Sequence, residues 1–440
     1  MKQEVSVCWL RRDLRLFDNT ALYHALNSKY PVLIFFIFDS DILDKLLDKK
    51  DRRVVFIHRN LHMLNDIAVK YGSYICVLHD QPTKAFNQIC EQFEVKEVYA
   101  NHDYEPYAIT RDSQITAFLN SRGIKFATFK DQVIFEKAEV MKSDGTPYTV
   151  FTPYSKIWKN KYRSEELKNY PSEKLLNNLF RSAIKAIPSL TDIGFEDFEL
   201  EVTPNIINED IIKNYHLTRN APSVNGTSYI SVHLRFGTVS IRQLVVLANR
   251  VNETWLNELI WREFFMMILF NFPGVVNHSF KKKYDKIKWR NNETEFFLWC
   301  KGETGYPLVD AGMRQLNETG WMHNRVRLVV ASFLCKHLLI DWRWGEAYFG
   351  QKLLDYDLSS NNGNWQWASG SGCDSAPYFR IFNPTEQTKK FDPKLDYIKA
   401  WIKDFNPHYL TPIVDHNFAR KRALEVYKTS LTENEQQNVD

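Results

Sequence analysis

The stretch PVLIFFIFD, residues 31–39, contains seven apolar residues in a row. A short, unbroken run of this kind is typical of a strand buried in a parallel sheet. Three similar runs occur nearby, namely VSVCWL (5–10), SYICVL (73–78) and KEVYA (96–100). Helix-periodic segments separate them, among them RRVVFIHRNLHMLNDIAVKYG (52–72) and TKAFNQICEQFE (83–94). Strands that alternate with helices predict right-handed crossovers and a parallel sheet with helices on both faces.

The pattern changes twice further along the chain. Residues 131–204 carry several prolines, among them Pro147, Pro153, Pro171 and Pro188, and many charges, as expected of a connection between domains. From about residue 205 the periodicity is helical almost throughout, most clearly in WLNELIWREFFMMILF (255–270) and NRVRLVVASFLCKHLLIDW (324–342). We therefore predict an α/β fold class, with an α/β domain over residues 1–130, an inter-domain linker over 131–204 and an all-helical domain over 205–440.

Composition indicates a soluble globular protein. The 440 residues exceed what one ordinary core holds, and 44% hydrophobic with 25% charged residues is usual for soluble proteins. The net charge of +4 permits a nucleic-acid partner without demanding one. The N-terminal residues lack the apolar run of a signal peptide, so we expect a cytoplasmic protein.

No common cofactor or metal motif is present. The chain has neither a GxGxxG pattern nor a Walker A pattern. The six cysteines are scattered, without a CxxC pair. We therefore predict reduced, buried thiols and no metal site.

Two motifs in the first half of the chain could carry chemistry. LRRDLRLFDNTAL (10–22) follows the first predicted strand and is either an ion cluster or part of a site. In GTSYIS (226–231), backbone amides and the hydroxyls of Thr227, Ser228 and Ser231 precede a helix and could hold a phosphate.

Two more motifs lie in the predicted helical domain. In NELIWREFF (257–265), Glu258, Trp261, Arg262 and Phe265 share one side of a helix. A purely structural helix would rarely add Glu and Arg to such a stripe, so either the charges pair or the face lines a cleft. In GWMHNRVRL (320–328), polar Asn324 and two arginines follow an aromatic residue and form either a site or a solvated helix start.

The last motif is LLDYDLSSNNGNWQW (353–367). Asp355 and Asp357 lack the downstream Glu of a calcium loop, but with Asn361 they could hydrogen-bond an adenine, a ribityl chain or a flavin edge. Trp365 and Trp367 stand two residues apart among Gly, Ser and Asn, which neither a core helix nor a long strand explains well.

Together these motifs resemble the photolyase/cryptochrome family, over nearly the whole chain. The resemblance rests on WLRRDLRLFDNTAL (9–22), GTSYIS, WLNELIWREFF (255–265), GYPLVDAGMRQLNETGWMHNRVR (305–327) and LLDYDLSSNNGNWQWASGSGCDSAPYFRIFNP (353–384). Within the family, the chain is most similar to class I cyclobutane pyrimidine dimer photolyases. The resemblance implies a Rossmann-like domain joined to a helical FAD-binding domain. It also implies light-driven DNA repair, in which photoexcited reduced FAD donates an electron to a flipped-out dimer.

The resemblance implies a set of cofactor contacts. Asn361 is similar to the residue that faces flavin N5, and Asp355 and Asp357 are similar to contacts of the flavin edge and the ribityl chain. The complete expected FAD set is Tyr215, Thr227, Ser228, Tyr229, Ile230, Ser231, Trp255, Arg262, Asn324, Asp355, Tyr356, Asp357 and Asn361.

The resemblance also implies a substrate pocket. Trp261 and Trp367 resemble aromatic walls around the dimer, and Glu258 resembles the carboxyl group that hydrogen-bonds it. The expected substrate and DNA contacts are Arg219, Glu258, Trp261, Arg262, Asn324, Arg325, Leu328, Trp367 and Gln387. Leu328 stands where a methionine is usual, a change that conserves volume.

Catalytic roles are expected for Glu258 and Asn324, and for an electron-carrying chain of Trp365, Trp342 and Trp289. Ordinary core packing is the alternative for Trp342 and Trp289. Partners implied are ultraviolet-damaged DNA, with no membrane and no obligate protein partner, and we expect a monomer. A folate antenna is not expected, because Tyr107 and Ala108 replace the Asn-Glu pair of folate-binding members. A deazaflavin, another flavin or no second chromophore remain open.

Two other functions compete with repair. A cryptochrome photoreceptor would use the same FAD pocket and tryptophans, but here the repair-pocket residues are retained and no long C-terminal extension follows. A (6-4) photoproduct enzyme typically has a pair of histidines where His323 is followed by Asn324.

Overall fold

The structure is a computed structural model that describes residues 2–436, and the chain folds into two compact units. The first unit contains Met1–Glu139, Trp158–Ile207 and Tyr229–Asn249. The second contains Val140–Ile157, Asn208–Ser228 and Arg250–Asp440. Each unit therefore collects three separate parts of the chain, and this division differs from the predicted boundaries after residues 130 and 204.

A five-stranded parallel sheet forms the centre of the first unit. The strands are β1 (Glu4–Leu10), β2 (Val32–Asp39), β3 (Ile75–Asp80), β4 (Glu94–Asn101) and β5 (Lys125–Phe129). They lie in the order β3-β2-β1-β4-β5, with all pairs parallel. Every residue of β2 is buried, as its unbroken apolar run predicts. The sheet confirms the predicted parallel topology.

Eighteen helices surround and follow the sheet in the described part of the chain. The first nine are α1 (Thr20–Leu26), α2 (Ser40–Leu43), α3 (Arg52–Val69), α4 (Pro82–Gln92), α5 (Pro106–Asn120), α6 (Phe151–Ser164), α7 (Glu209–Thr218), α8 (Ser231–Phe236) and α9 (Ile241–Val251). The others are α10 (Glu253–Asn271), α11 (Glu293–Lys301), α12 (Pro307–Thr319), α13 (Asn324–Ser332), α14 (Trp342–Lys352), α15 (Leu358–Ser369), α16 (Pro384–Phe391), α17 (Asp396–Trp401) and α18 (His416–Gln436). Three short 3₁₀ segments span Ser172–Asn178, Pro273–Val276 and Lys282–Lys286, and a π-helical turn spans Phe333–His337.

The charged motif after β1 forms a buried ion-pair network within the first unit. Arg15 Nη2 lies 2.6 Å from Asp131 Oδ2, and Arg242 Nε lies 2.9 Å from Asp18 Oδ2. Burial alone would raise the pKa of Asp131, but Arg15 and Arg242 hold it below its ordinary value. Of the two readings left open for this motif, the structure favours the ion cluster. Removing one partner would leave a buried charge uncompensated, which is strongly destabilising.

The second unit is helical around one large buried cluster. The cluster includes Trp299, Trp342 and Trp365, and most of its members come from α11 to α15, α17 and the π-helical turn. No helix among the described residues is long and apolar enough to cross a membrane. The sheet of the first unit and the helices of the second confirm the predicted fold class.

Candidate functional site

Helix α10 presents the first group of predicted site residues. Asn252 caps the helix, since its side-chain oxygen accepts hydrogen bonds from the amides of Thr254 and Trp255. Trp255 is buried, whereas Glu258 and Trp261 are only half-buried one turn apart. Of the four residues predicted to share one side of this helix, Phe265 is buried, whereas Glu258, Trp261 and Arg262 are half-buried.

Glu258 is held by two other predicted site residues. Its Oε1 lies 2.6 Å from Arg219 Nη1, and the Arg219 guanidinium carbon lies 5.4 Å from the centre of the Tyr215 ring. Burial raises the pKa of Glu258, and the Arg219 charge and the Tyr215 hydroxyl oppose this shift. Burial and the neighbouring Glu258 also raise the pKa of Tyr215. The structure therefore joins a predicted DNA contact, a predicted catalytic carboxyl group and a predicted cofactor contact.

Helix α13 begins with a buried histidine cap. His323 Nδ1 accepts a hydrogen bond from the Arg325 amide at 3.1 Å, so the ring proton lies on Nε2. Burial and two neighbouring arginines lower the pKa of His323 to about 4, so the ring is neutral near pH 7. Asn324 is exposed directly after this cap, and Leu328 is half-buried one turn later. Asn324 and Leu328 therefore share one side of α13.

Arg325 is positioned by polar and aromatic contacts within the second unit. Its Nη2 donates to Asn220 Oδ1 at 2.6 Å, and its guanidinium carbon lies 4.4 Å from the centre of the Phe391 ring. Gln387, on α16, is half-buried, and its Oε1 is buried without a hydrogen-bond partner among the described residues. Both predicted DNA contacts therefore belong to the helical unit.

The two aspartates before α15 have different local roles. Asp355 Oδ2 pairs with Arg327 Nη2 at 2.9 Å, and Arg327 Nε donates to the Met322 carbonyl at 2.7 Å. Asp357 is the N-cap of α15, because its Oδ1 accepts from the Ser360 amide at 3.0 Å. Tyr356 lies half-buried between them. No group of three or more His, Cys, Asp or Glu side chains that could hold a metal ion occurs in residues 2–436.

Asn361 and Asn362 connect α15 to Glu346, a half-buried residue on α14. Asn361 Nδ2 donates to the Glu346 carbonyl at 3.1 Å, and Asn362 Nδ2 donates to Glu346 Oε1 at 3.0 Å. Burial raises the pKa of Glu346 to about 7. Both Asn side chains are buried. Asn361, the predicted flavin contact, is therefore fixed by the neighbouring helix.

Trp365 and Trp367 differ because α15 is a helix. Residues two apart in a helix point about 200° apart around its axis. Trp365 is therefore buried at 2% exposure, whereas Trp367 is half-buried. Trp365 and Trp342 are members of the buried cluster, and Trp367 and Trp289 pack against it. The spacing of two residues is therefore explained by α15, which directs one tryptophan into the core and the other away from it.

The predicted tryptophan chain has an additional aromatic neighbour at each end. The Trp365 ring centre lies 6.2 Å from that of Trp299, edge to face. The Trp289 ring centre lies 5.9 Å from that of Tyr427, also edge to face. All of these rings belong to the second unit, and three of the tryptophans are nearly inaccessible. The contacts place the predicted chain in one aromatic region, without testing its role.

The GTSYIS motif falls across the division between the units. Thr227 and Ser228 end one segment of the second unit, while Tyr229, Ile230 and Ser231 begin a segment of the first. Ser231 starts α8, a helix of only six residues, and Tyr229 has a positive φ of 51°. Thr227 Oγ1 is buried without a hydrogen-bond partner among the described residues.

A second unpaired buried oxygen supports a fit to FAD. Asn257 Oδ1, on α10 beside Glu258, is also buried without a partner in the described part of the chain. Because buried polar atoms are nearly always hydrogen-bonded, Thr227 and Asn257 are the atoms expected where a polar cofactor completes the bonding. The residues present therefore fit FAD. Arg262, another predicted FAD contact, is half-buried on the same helix.

Sequence reasoning missed several residues that support this region. Arg327, Glu346 and Asn257 hold or accompany predicted site residues. Asn257 and Arg327 lie inside the quoted motifs, but nothing in the spacing identified Asp355 as the partner of Arg327 or the Asn257 oxygen as unpaired. Glu346 gave no signal, because it lies between aromatic residues in a segment that reads as an ordinary helix.

Comparisons with known proteins match the chain to one family. Residues 6–172 match the family described as DNA photolyase, and residues 255–407 match the family described as the FAD binding domain of DNA photolyase. A deoxyribodipyrimidine photo-lyase of Synechococcus sp. is 35% identical over 464 aligned positions, which cover 95% of each chain. The enzyme of the same name from Escherichia coli is 34% identical and covers 96% of this chain and 98% of its own.

Solved structures of similar proteins agree. A class III photolyase from Agrobacterium tumefaciens has a TM-score of 0.85 at 30% identity and covers 98% of both chains. An archaeal photolyase from Sulfolobus tokodaii, solved with two FAD molecules, has a TM-score of 0.81 at 32% identity, covering 97% of this chain and 100% of its own. A cryptochrome from Synechocystis sp. also reaches 0.85, at 26% identity, covering 97% and 99%. Photo-lyases are similar in sequence over nearly the whole chain, and the helical region matches their FAD binding domain. This chain therefore belongs to the DNA photolyase family.

Proposed function

We propose that this protein is a deoxyribodipyrimidine photo-lyase, which uses light to split cyclobutane pyrimidine dimers in DNA. The observation that carries the proposal is the half-buried side of α10, where Glu258 and Trp261 lie one turn apart and Arg219 holds the Glu258 carboxyl group. A structural helix rarely keeps a half-buried carboxylate and an indole together. A site for a flat, hydrogen-bonding ligand such as a pyrimidine dimer needs both.

Residues of the helical unit would hold most of the FAD. Thr227, Asn257 and Tyr215 supply polar groups, and the buried Asn361 and the pair of Asp355 with Arg327 supply fixed hydrogen-bonding groups. When bound and reduced, FAD supplies the light-driven electron that the repair of a dimer requires. The contribution of the chain is orientation and electrostatics. The other residues expected to contact FAD are Ser228, Tyr229, Ile230, Ser231, Trp255, Arg262, Asn324, Tyr356 and Asp357.

The dimer is bound after it leaves the DNA helix. Flipping a nucleotide out of a duplex costs a few kcal/mol, and it costs least for a damaged, poorly stacked base. The half-buried Trp261 and Trp367 would recover this cost by stacking and apolar contact. Leu328 would fill the position beside Asn324 on α13.

Glu258 would act as the hydrogen-bonding partner of the dimer. Burial raises the pKa of its carboxyl group, and the Arg219 charge opposes this shift. The carboxylate that pairs with Arg219 would accept hydrogen bonds from the dimer. Arg219 is bonded to Glu258 in this structure. We propose that Arg219 passes to a DNA phosphate when the dimer enters, together with Arg325, while Gln387 contacts the strand nearby. Phosphate contacts of this kind give affinity without sequence preference.

Trp365, Trp342 and Trp289 would carry electrons between the protein surface and the interior. They extend from a buried ring to a half-buried one, within or against a single aromatic cluster. This role stays a prediction, and replacement of the half-buried Trp289 by phenylalanine would slow light-dependent reduction with little effect on the buried core.

We do not propose a folate as a second chromophore. Tyr107 Oη donates to Asp39 at 2.6 Å, and Ala108 is buried. The Tyr107 hydroxyl is therefore already hydrogen-bonded within the first unit, and the Ala108 side chain is packed inside it. We propose that the protein acts as a monomer on damaged DNA in the cytosol, without a membrane or an obligate protein partner. Assignment to class I also stays a prediction.

The test is a repair assay on purified protein with reduced FAD. An oligothymidine that carries cyclobutane dimers is illuminated with blue light, and the recovery of thymine absorbance is followed against a dark control. We expect recovery only in the light. The variant Glu258→Ala should repair about tenfold more slowly at equal FAD content, because a hydrogen bond to a charged or buried group is lost.

A cryptochrome function is the second candidate, because the Synechocystis cryptochrome shares the fold at the same TM-score as the class III photolyase. No light-dependent recovery by protein that binds FAD and can be photoreduced would reject repair and favour this photoreceptor role. The absorbance spectrum of the same sample would show whether a second chromophore accompanies FAD.

A further inference from the structure

Trp261 is stacked on an aromatic residue from a distant part of the chain. The ring centre of Phe151 lies 3.7 Å from that of Trp261, and the two planes differ by only 5°. Phe264 meets both rings edge to face, at 5.9 Å from Phe151 and 5.6 Å from Trp261. The indole therefore cannot turn about its side-chain bonds without displacing Phe151 or Phe264. One face of the ring is covered, and its orientation is fixed.

The main chain of Phe151 is fixed as well. Phe151 is the first residue of α6, and its N–H donates to Asp374 Oδ2 at 3.0 Å. Amides in the first turn of a helix lack partners within the helix, so an acceptor must come from elsewhere. Asp374 lies in the segment that follows α15, the helix of Trp367. Phe151 thus links the helix of one predicted wall of the dimer pocket to the segment behind the other.

Exposure distinguishes this stack from ordinary core packing. Phe151, Trp261 and Asp374 are all half-buried, whereas Phe264 behind them has 0% exposure. A stack formed only for stability would be expected inside the core, where burial contributes most. This one lies at the accessible side of α10, next to Glu258.

We propose that Phe151 is a positioning residue for the dimer pocket, which holds Trp261 in the orientation that receives the flipped dimer. Asp374 supports it by fixing the start of α6. The inference rests on the proposed repair function, and it adds a residue from the segment that sequence analysis assigned to a linker. Phe151 touches neither the dimer nor the cofactor in this role. It acts through the indole.

The test compares variants that keep or remove a flat ring at position 151. Phe151→Leu keeps most of the volume but removes the stacking face, and Phe151→Tyr keeps that face. Phe297→Leu is the matched control, since Phe297 is 58% exposed on α11. Affinity is measured for an oligonucleotide with a single thymine dimer and for the same oligonucleotide without damage. FAD content and the repair rate at saturating DNA are measured in the same preparations.

We expect Phe151→Leu to weaken binding of the damaged oligonucleotide about fivefold to tenfold, which corresponds to the loss of one aromatic stack. Binding of undamaged DNA and FAD content should not change, and the repair rate at saturation should fall less than the affinity. Phe151→Tyr should restore the affinity, and Asp374→Ala should weaken it in the same direction as Phe151→Leu.

Two results would overturn the inference. If Phe151→Leu binds damaged DNA as tightly as the unmodified protein, the stack does not position the wall. If Phe151→Leu and Phe151→Tyr are equally impaired, the residue serves only local packing. A different result would reject the repair function itself, namely an unmodified protein that does not prefer damaged over undamaged DNA. The unmodified protein therefore tests the function, and the variants test the role of Phe151.

Discussion

At the scale of single residues, Gly345 shows how an absent side chain fixes the position of an indole. A Cβ atom at Gly345 would lie 2.1 Å from Cη2 of Trp365 and 2.6 Å from a methyl carbon of Leu334. Real Cβ atoms do not approach other atoms so closely, so α14 can pack on Trp365 only because this position is glycine.

Gly345→Ala is therefore expected to destabilise the protein by about 2–3 kcal/mol, because the added methyl group overpacks the core. Urea unfolding measures the loss. Gly274→Ala is the control, since a Cβ there would meet nothing within 4 Å, and we expect its effect to stay within about 0.5 kcal/mol. Equal stabilities of the two variants would show that Trp365 can move aside freely.

Glu346 predicts a pH effect on stability. Burial raises its pKa from 4.5 to about 7, although the Asn362 amide opposes the shift. Between these two values the folded protein binds a proton that the unfolded chain releases, so the unfolding free energy falls as pH rises. We expect about 2 kcal/mol to be lost from pH 4.5 to pH 7 through this group.

The variant Glu346→Gln isolates this contribution, because glutamine can still accept the hydrogen bond from Asn362. The stability difference between the unmodified protein and Glu346→Gln should decrease as pH rises through this window. A difference that is constant with pH would mean that the pKa of this carboxyl group is the same in the folded protein and in the unfolded chain.

At the scale of helices and strands, α15 is positioned by its cap and by close packing. Asp357 caps its first turn, and at Gly363 a Cβ would lie 2.2 Å from the Phe265 ring, so the absence of a side chain allows α15 to approach α10. The two helices that carry Trp261, Trp365 and Trp367 are therefore set against each other by a glycine contact.

The cap gives a prediction of its own. Asp357→Ala should destabilise the protein by about 1 kcal/mol, because the Ser360 amide loses its acceptor. Asp357→Asn should cost only a few tenths of that, since asparagine caps nearly as well. Thermal unfolding at matched FAD content distinguishes the two. If Asp357→Asn is as unstable as Asp357→Ala, the charge of Asp357 matters more than its capping bond.

Elements with a strong period could be predicted from the sequence, and short or mixed ones could not. The spacing of Glu258, Trp261 and Arg262 predicted the half-buried side of α10, and short runs rich in apolar residues predicted β1 to β4. Strand β5 was missed because it is short, lies at the sheet edge and contains no fully buried residue. Helix α6 was assigned to a linker because prolines and charges surround it.

Partners distant in the chain were beyond prediction for a different reason. The bond between Phe151 and Asp374 joins residues 223 positions apart, and that between Asp355 and Arg327 joins residues 28 apart. Spacing rules act within one element, whereas these contacts depend on how helices pack. The identities of the site residues came from the motifs, but the residues that hold them required coordinates.

At the scale of the whole molecule, the small net charge of +4 predicts that DNA binding depends on local groups. Affinity for damaged DNA should fall linearly with salt on logarithmic axes, and Arg325→Gln should reduce the slope by about one. Arg250→Gln removes the same charge from an exposed pair with Glu209, where the Arg250 side chain is 66% exposed. This control should leave the slope unchanged. Equal slopes for both variants would indicate that total charge decides.

The division of the chain between the two units bears on how the protein is made. The sheet is complete once residue 129 is synthesised, yet the unit that contains it also takes Tyr229–Asn249. At ordinary rates of translation the ribosome needs roughly ten seconds to supply that last segment. During this interval the first unit lacks Arg242, so the buried ion pairs of Arg242 with Asp18 and Asp131 cannot yet form.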